Sequence, residues 1–341
     1  MKGKLLSLLL AVLLLTGCVA GTPQTAKQTR YEASFLELFD TVTTMVGYAD
    51  SEEAFRETAQ AIHDELLVYH QLYDIYNDYP DINNIKTIND HAGLEPVTVD
   101  RKIIDLLLFC RQMEQATGGM VNVAMGSVLS LWHETRTAGL EDPASAVIPE
   151  MEALQDAVLH TDLQAVVIDE EASTVFLPDP AMRLDVGAVA KGYAVEQVCR
   201  NAPSGLLLSV GGNVCSTGPK PEGIPWVVGL KDPDAEGNLH TVTVETGAVV
   251  TSGDYQRYYM VNGKAYHHII DPQTLMPGTL WRAVSVLCED SGVADALSTA
   301  LFLLPQAEGQ ALLDQFDAEA MWLDSEGNEY FSPGFSARLR T

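Results

Sequence analysis

Apolar and polar residues follow one another along this chain with two different spacings, which predicts a mixture of helices and strands. Residues 35–48 alternate in part and are rich in Thr and Val, so we predict a strand or a pair of strands there. Behind them, apolar residues recur every three or four positions, and Asp50 with Glu53 predicts a capping box at the start of a helix. Similar patterns predict helices at 101–116 (with Asp100 as N-cap), 149–160, 291–304 and 306–316, and strands at 165–168, 174–177, 206–210, 226–230, 240–245, 281–287, 320–323 and 329–331. No internal repeat and no mid-chain linker interrupts this series.

The densest group of reactive side chains lies in residues 246–272. Two strand-like runs, 258–261 and 265–270, are separated by Asn262-Gly263, which is a strong signal for a β-hairpin. The return strand carries His267 and His268. Neighbouring residues of a strand face opposite sides, so a metal site built from this pair is not expected. A surface hairpin that happens to hold two histidines is the simpler interpretation of the residues alone.

Residues 183–200 predict a short strand, a Gly turn and then a helix. A helix N-terminus with small residues is an anion-binding site, and Lys191 adds positive charge in the first turns. A capped helix with a solvated lysine is an equally good interpretation. Gly211-Gly212-Asn213 is neither a dinucleotide fingerprint nor a P-loop, because the GxGxxG spacing and a following Gly-Lys-Ser/Thr are missing.

The predicted helix at 291–304 places Asp295 and Thr299 four residues apart, and therefore on one face. Carboxylate and hydroxyl oxygens are hard ligands that suit Mg²⁺. The alternative is an Asp that favours the start of the helix and a Thr whose hydroxyl bonds back to a carbonyl.

The N-terminus reads as an export signal. Lys2 and Lys4 precede an apolar stretch at 5–15 that is too short to span a membrane, and Leu15-Thr16-Gly17-Cys18 resembles a bacterial lipobox. We therefore predict a lipoprotein signal peptide at 1–17, an acylated Cys18, a flexible tether at 18–30 and one enzyme domain at 31–341. Lipidation would hold the protein at the cell membrane, on its extracytoplasmic face.

Composition narrows the class of ligand. The chain is 47% hydrophobic, enough for a sizeable core, and its net charge of −27 argues against nucleic acid. An anionic ligand would need local cations or a metal to offset this charge. The cysteines beyond the leader contain no CxxC, so a zinc ribbon is not indicated and buried free thiols are expected at Cys110, Cys199, Cys215 and Cys288.

Four ordered stretches resemble the ApbE-type FAD:protein FMN transferases. They are GGMVNVAMGSVLSLWH from Gly118, RLDVGAVAKGYAVE from Arg183, TSGDYQRYY…GKAYHHIIDP from Thr251, and ADALST from Ala294. Together they place residues 35–335 within the similarity. Three departures are visible: Asn122 stands where the family has Asp, Ala124 where it has Thr, and Leu275 where it has Gly.

The resemblance implies a single α+β domain with mixed, largely antiparallel sheets and packed helices. It implies Mg²⁺-dependent transfer of FMN from FAD, the substrate, to a Thr or Ser hydroxyl of another exported protein, with release of AMP. The acceptor would be a membrane redox subunit of the Rnf or sodium-pumping quinone reductase type, or another extracytoplasmic flavoprotein.

The resemblance also assigns residues. His268 matches the retained histidine, as base or hydroxyl-orienting group, and an imidazole with an ordinary pKa near 6.5 suits that role. Asp295 and Thr299 would hold the metal through side chains, and Ala188 and Ser298 through backbone carbonyls. The residues expected to contact FAD are Phe39, Tyr76, Met120, Val121, Asn122, Asp185, Lys191, Ser252, Gly253, Asp254 and Ile269. Tyr76 belongs to an aromatic group, with Tyr73 and Tyr79, whose spacing is more often that of core residues.

Two other functions stay open. One is an FAD pyrophosphatase that uses the same site without a protein acceptor, and the other is a flavin-binding lipoprotein that does not release AMP. Self-flavinylation finds little support, because Thr246-Gly247-Ala248-Val249 lacks the acceptor hydroxyl.

Overall fold

The computed structural model describes residues 28–340. Its helices are α1 (Glu52–Tyr73), α2 (Ile85–Asp90), α3 (Arg101–Ala116), α4 (Gly126–Glu141), α5 (Met151–Ala157), α6 (Ala190–Asn201), α7 (Ser291–Leu303) and α8 (Gln306–Leu313). Its strands are β1 (Thr29–Leu38), β2 (Thr41–Ala49), β3 (Val97–Thr98), β4 (Val167–Asp169), β5 (Thr174–Phe176), β6 (Leu206–Val210), β7 (Asn213–Ser216), β8 (Trp226–Lys231), β9 (Asn238–Val244), β10 (Gly247–Gly253), β11 (Tyr258–Val261), β12 (Lys264–His267), β13 (Ala283–Cys288), β14 (Ala318–Leu323) and β15 (Glu329–Phe331).

The central element is an eight-stranded sheet with the order β1-β2-β6-β7-β10-β13-β14-β15. Each neighbouring pair in it is antiparallel. Three small antiparallel sheets, β3-β5-β4, β8-β9 and β11-β12, lie around it. The predicted fold class, α+β with largely antiparallel sheets, is confirmed.

The core forms where helices cover one side of this sheet. Helix α7 packs on β10 and β13 and against α6, and α6 packs on α1. Leu297, Leu301 and Phe302 of α7 are fully buried, which explains why this helix is apolar around most of its circumference. A separate apolar cluster joins Trp132 of α4 to Tyr259 of the β11–β12 hairpin. These contacts fix α4, α6, α7 and the hairpin around one space.

Three predicted features of the secondary structure differ from the structure: the N-cap of α1, the end of the hairpin and a strand before α6. Ser51 caps α1, since its side chain accepts a hydrogen bond from Ala54 N, so the prediction of Asp50 as the cap is wrong. The return strand of the hairpin ends at His267 instead of continuing to 270. No strand forms at 183–187, where Arg183 makes only an isolated bridge to Met125.

Two further predictions concern cysteines and the membrane. Cys110, Cys199 and Cys215 are buried free thiols, as expected, and Cys288 is a half-buried one. Within 28–340, no helix combines the length and apolar character needed to cross a bilayer. Cys18 and the predicted leader lie outside the described residues.

Candidate active site

A cavity of about 470 Å³ opens between α1, α4, α6, α7 and the β11–β12 hairpin. Most of the residues predicted to form the site line it: Phe39, Tyr76, Met120, Val121, Asn122, Asp185, Ala188, Lys191, Ser252, Gly253, His268, Ile269, Asp295 and Thr299. Residues far apart in the sequence therefore meet in one place. The four motifs surround a single ligand-sized space.

Two predicted residues lie outside this lining. The Asp254 carboxylate pairs with Arg282 at 2.9 Å. Ser298 is fully buried behind the wall, where its hydroxyl lies 2.9 Å from Ser252 Oγ and donates to the Asp295 carbonyl, also at 2.9 Å. Asp254 thus stabilises the end of β10, and Ser298 supports Ser252 from behind.

The N-terminus of α6 forms one wall. No side chain caps this helix, and Asp185 Oδ1 accepts a hydrogen bond from Gly187 N in the turn that precedes it. Burial raises the pKa of Asp185, and the nearby charges of His133 and Arg136 lower it in part. The positive end of the α6 dipole and Lys191 together favour an anion at this end of the cavity.

Helices α6 and α7 cross in very close contact at Gly192. Its N–H donates to Asp295 Oδ2 at 2.8 Å, and Lys191 Nζ lies 3.7 Å from the same oxygen. A Cβ at position 192 would lie 2.4 Å from Asp295 Cβ and 2.4 Å from Ser291 O, so only glycine fits. Burial raises the pKa of Asp295, and Lys191 opposes this effect.

Asp295 and Thr299 retain free oxygen atoms beside the cavity. Asp295 Oδ1 and the Thr299 hydroxyl accept or donate no hydrogen bond among residues 28–340, so the back-bonded threonine considered above is not formed. The described chain holds no cluster of three or more His, Cys, Asp or Glu suited to a metal. Mg²⁺ is commonly bound by one or two carboxylates, water and substrate phosphates, so this donor set fits that ion.

The two neighbouring histidines have different surroundings. His267 donates from Nε2 to Gly278 O at 2.7 Å and accepts at Nδ1 from Ile269 N at 3.2 Å, so its ring is fully bonded. His268 Nδ1 is buried with no hydrogen-bond partner in the described chain. Burial, together with the charge of Arg257, lowers the pKa of His268 to about 3, far below its ordinary value. His268 is therefore a neutral imidazole whose ring lines the cavity while its unpartnered Nδ1 is buried.

The turn between β1 and β2 brings Phe39 to the cavity. Phe39 and Asp40 adopt left-handed conformations, with φ of 53° and 52°, and Phe39 N donates to His70 Nδ1. Tyr76 lies beyond the end of α1 and is 51% exposed, whereas Tyr73 is buried. The core interpretation of the aromatic group thus applies to Tyr73 and not to Tyr76.

Asn122 and Leu275, two departures from the family pattern, both serve the local backbone. Asn122 Oδ1 accepts from Ala124 N, and its Nδ2 donates to Thr161 O. Leu275 takes a left-handed φ of 60°, the conformation that glycine adopts most easily, and its carbonyl accepts from Trp132 Nε1. The turn is kept despite the larger residue.

Several lining residues were not predicted from the sequence. Arg136 and Arg257 bring positive charge to the cavity, and His133 stacks on Tyr76 with ring centroids 5.1 Å apart. Asn213 accepts from Ser291 Oγ, while its Nδ2 is buried with no partner in the described chain. Arg257 lies within the motif TSGDYQRYY, whereas the only signal for Arg136 was that a chain of net charge −27 must supply local cations for an anionic ligand.

Comparison with known proteins agrees with this geometry. Residues 31–322 match the ApbE family. A Klebsiella pneumoniae (strain 342) protein described as FAD:protein FMN transferase is 33% identical over 266 residues, which cover 74% of this chain and 80% of that protein. A Treponema pallidum (strain Nichols) protein with the same description is 30% identical over 311 residues, which cover 85% of this chain and 84% of that protein.

Solved structures give the same result for the fold. The crystal structure of the ApbE protein from Thermotoga maritima superposes with a TM-score of 0.80 at 28% identity, covering 92% of this chain and 100% of that one. The flavin transferase ApbE from Vibrio cholerae superposes with a TM-score of 0.74 at 21% identity, over 92% of this chain and 100% of its own. At that identity the second similarity concerns the fold alone.

Proposed function

This chain belongs to the ApbE family, and on that premise we propose that it transfers FMN from FAD to a Thr or Ser hydroxyl of an exported or membrane redox protein and releases AMP. The observation that carries the proposal is the single cavity in which His268, Lys191 and Asp295 meet. A proton acceptor, a cation and a hard oxygen ligand are the groups that phosphoryl transfer requires.

The acceptor hydroxyl must lose a proton as it attacks phosphorus. His268 is suited to receive it, because its ring is neutral and lines the cavity. A pKa near 3 makes a weak base, but the phosphates of bound FAD would draw this pKa upward through opposite charge. Ser252, whose hydroxyl is held by Ser298 at 2.9 Å, is placed to orient an oxygen of substrate or acceptor.

The pyrophosphate of FAD needs positive charge in this acidic protein. Lys191 and the positive end of the α6 dipole supply it on one wall. The side chains of Asp295 and Thr299, with the carbonyls of Ala188 and Ser298, would hold Mg²⁺ beside it. When bound, Mg²⁺ would neutralise charge on the phosphate oxygens.

The location belongs to the same proposal. The lipobox at 15–18 supports acylation of Cys18 and attachment to the extracytoplasmic face of the cell membrane, with residues 18–30 as tether. That location would place the enzyme beside acceptors of the Rnf or sodium-pumping quinone reductase type.

The test is to incubate the full chain with FAD, Mg²⁺ and a candidate acceptor subunit. In-gel flavin fluorescence and intact mass would detect covalent FMN on the acceptor, and chromatography would detect AMP. Labelled acceptor with one AMP per FMN supports the transferase. AMP without labelled acceptor would instead identify a pyrophosphatase, and flavin binding without AMP a flavin-binding lipoprotein.

A variant tests the base directly. We expect His268→Ala to keep FAD binding and to lose transfer by a factor of about 10²–10⁴, the usual cost of removing a general base. His267→Gln, which alters a ring bonded only to backbone, is the neighbouring control and should affect stability more than transfer. Full transfer by His268→Ala would move the role to another residue.

A further inference from the structure

Two arginines of the cavity wall lack a carboxylate partner. Arg136 lies in α4 and Arg257 just before β11, and neither guanidinium has a carboxylate within 4.0 Å among residues 28–340. Arg136 is half-buried, and burial lowers the pKa of its guanidinium. In a chain with a net charge of −27, cations left unpaired at a cavity indicate an anionic ligand.

Arg136 is held by a single side chain. It donates from Nη2 to His133 Nδ1 at 2.8 Å, and the His133 ring stacks on Tyr76 at an interplanar angle of 30°. His133 Nδ1 can accept this bond only if the ring is neutral. Burial lowers the pKa of His133, which favours the neutral ring. Arg136 keeps its other N–H groups available for a ligand.

The position of the reacting phosphorus follows from His268. An attacking oxygen must lie about 3 Å from the nitrogen that takes its proton, and the phosphorus about 3–3.5 Å beyond that oxygen. Arg257, Lys191 and Arg136 line the same cavity as His268. A phosphorus under attack beside His268 would therefore lie in the space that these three cations line.

We propose that Arg136 and Arg257 bind the phosphate that is transferred, and that His133 is a positioning residue that holds Arg136 for this contact. This inference rests on the proposed function. In that reaction the acceptor oxygen bonds to the FMN phosphorus while the bond from that phosphorus to the bridging oxygen breaks. AMP leaves with the bridging oxygen, and the hydroxyl proton passes to His268. Guanidinium groups bind phosphate oxygens through two parallel hydrogen bonds and stabilise the charge that these oxygens carry.

The first experiment measures binding to the full chain in EDTA. The ligands are FAD, riboflavin, which has no phosphate, and inorganic pyrophosphate. We expect Arg136→Met and Arg257→Met to weaken FAD and pyrophosphate binding by roughly 10- to 100-fold each and to leave riboflavin binding unchanged. Arg56→Met removes the same charge from an exposed position of α1 outside the cavity and should behave as the parent.

The second experiment separates positioning by His133 from simple packing. His133→Phe keeps a ring to stack on Tyr76 but has no acceptor, whereas His133→Asn keeps an acceptor oxygen and loses the ring. We expect His133→Phe to weaken FAD and pyrophosphate binding by about 5- to 10-fold. The separate variant His133→Asn should bind both ligands as the parent does. The reverse order would mean that the ring and not the hydrogen bond matters, and would overturn the role of His133.

Other outcomes are equally decisive. Unchanged FAD and pyrophosphate binding by both arginine variants would overturn the inference, and so would an equal loss of riboflavin binding, which signals general damage. Arginine-dependent pyrophosphate binding in a parent that does not bind FAD would keep the anion site and refute the proposed function. A parent that binds neither ligand would refute both.

Discussion

The pKa of His268 has a consequence for stability that can be measured without substrate. Burial lowers this pKa to about 3 in the folded chain, whereas an exposed histidine titrates near 6.5. Below pH 6.5 the unfolded chain therefore binds a proton that the folded chain does not. The stability present above pH 6.5 is lost progressively as the pH falls from 6.5 towards 3.

The magnitude follows from the same two values. Each pH unit in this window costs about 1.4 kcal/mol, so the step from pH 6.5 to pH 5 costs about 2 kcal/mol. We expect His268→Gln to abolish this part of the acid sensitivity. The assay is urea unfolding of the ligand-free chain at pH 7 and pH 5, followed by tryptophan fluorescence.

For each protein we compare the change in unfolding free energy between pH 7 and pH 5. A packing effect of the substitution is the same at both pH values and therefore cancels. The parent should lose about 2 kcal/mol more unfolding free energy than His268→Gln between pH 7 and pH 5. His267, whose pKa burial also lowers, contributes equally to both proteins. The same loss in parent and variant would show that His268 is accessible to protons in the folded chain, and the neutral-imidazole argument would fail.

Three further predictions concern the metal, the helix crossing and the membrane. Asp295→Asn should abolish AMP release from FAD, and so should EDTA added to the parent, whereas Thr299→Val should reduce AMP release less. AMP release is measured by chromatography, and full turnover in EDTA would exclude this metal site. Gly192→Ala should lower the unfolding free energy in urea by about 1–3 kcal/mol, because its Cβ would meet Asp295 and Ser291 at 2.4 Å; an unchanged midpoint would contradict the close packing. Cys18→Ala should move the protein from membrane to soluble fractions, and unchanged retention would contradict lipidation.

Long periodic segments were predicted well because their signals are local. The bounds of α3 and its cap Asp100 agree with the structure, and so does the Asn262-Gly263 hairpin. The N-cap of α1 was placed one residue early because Asp50 and Ser51 are both good caps and spacing alone does not separate them. In the structure it is the Ser51 side chain that accepts from Ala54 N.

The site was predicted where a motif names residues and missed where a role depends on a distant partner. Asp254 stands beside Ser252 and Gly253 in the sequence, yet its carboxylate pairs with Arg282 instead of facing the cavity. His133 and Arg136 lie on α4, where polar residues of a solvated face would look the same in the sequence. Only the placement of α4 beside the cavity brings these two residues to the candidate site.

The glycine contact between α6 and α7 restricts how a ligand can enter and leave. The N–H of Gly192 bonds to Asp295 and joins the two helices at close range, so we expect them to move together. We therefore expect the cavity to open on the other side, where Tyr76 is 51% exposed and Arg257 is exposed. We expect amide hydrogens of β11 and β12 to exchange faster than those of α6 and α7, and FAD to slow the exchange of the hairpin. In that case α6 and α7 would hold the reacting groups in place, and opening at the hairpin would set the rate at which flavin is exchanged.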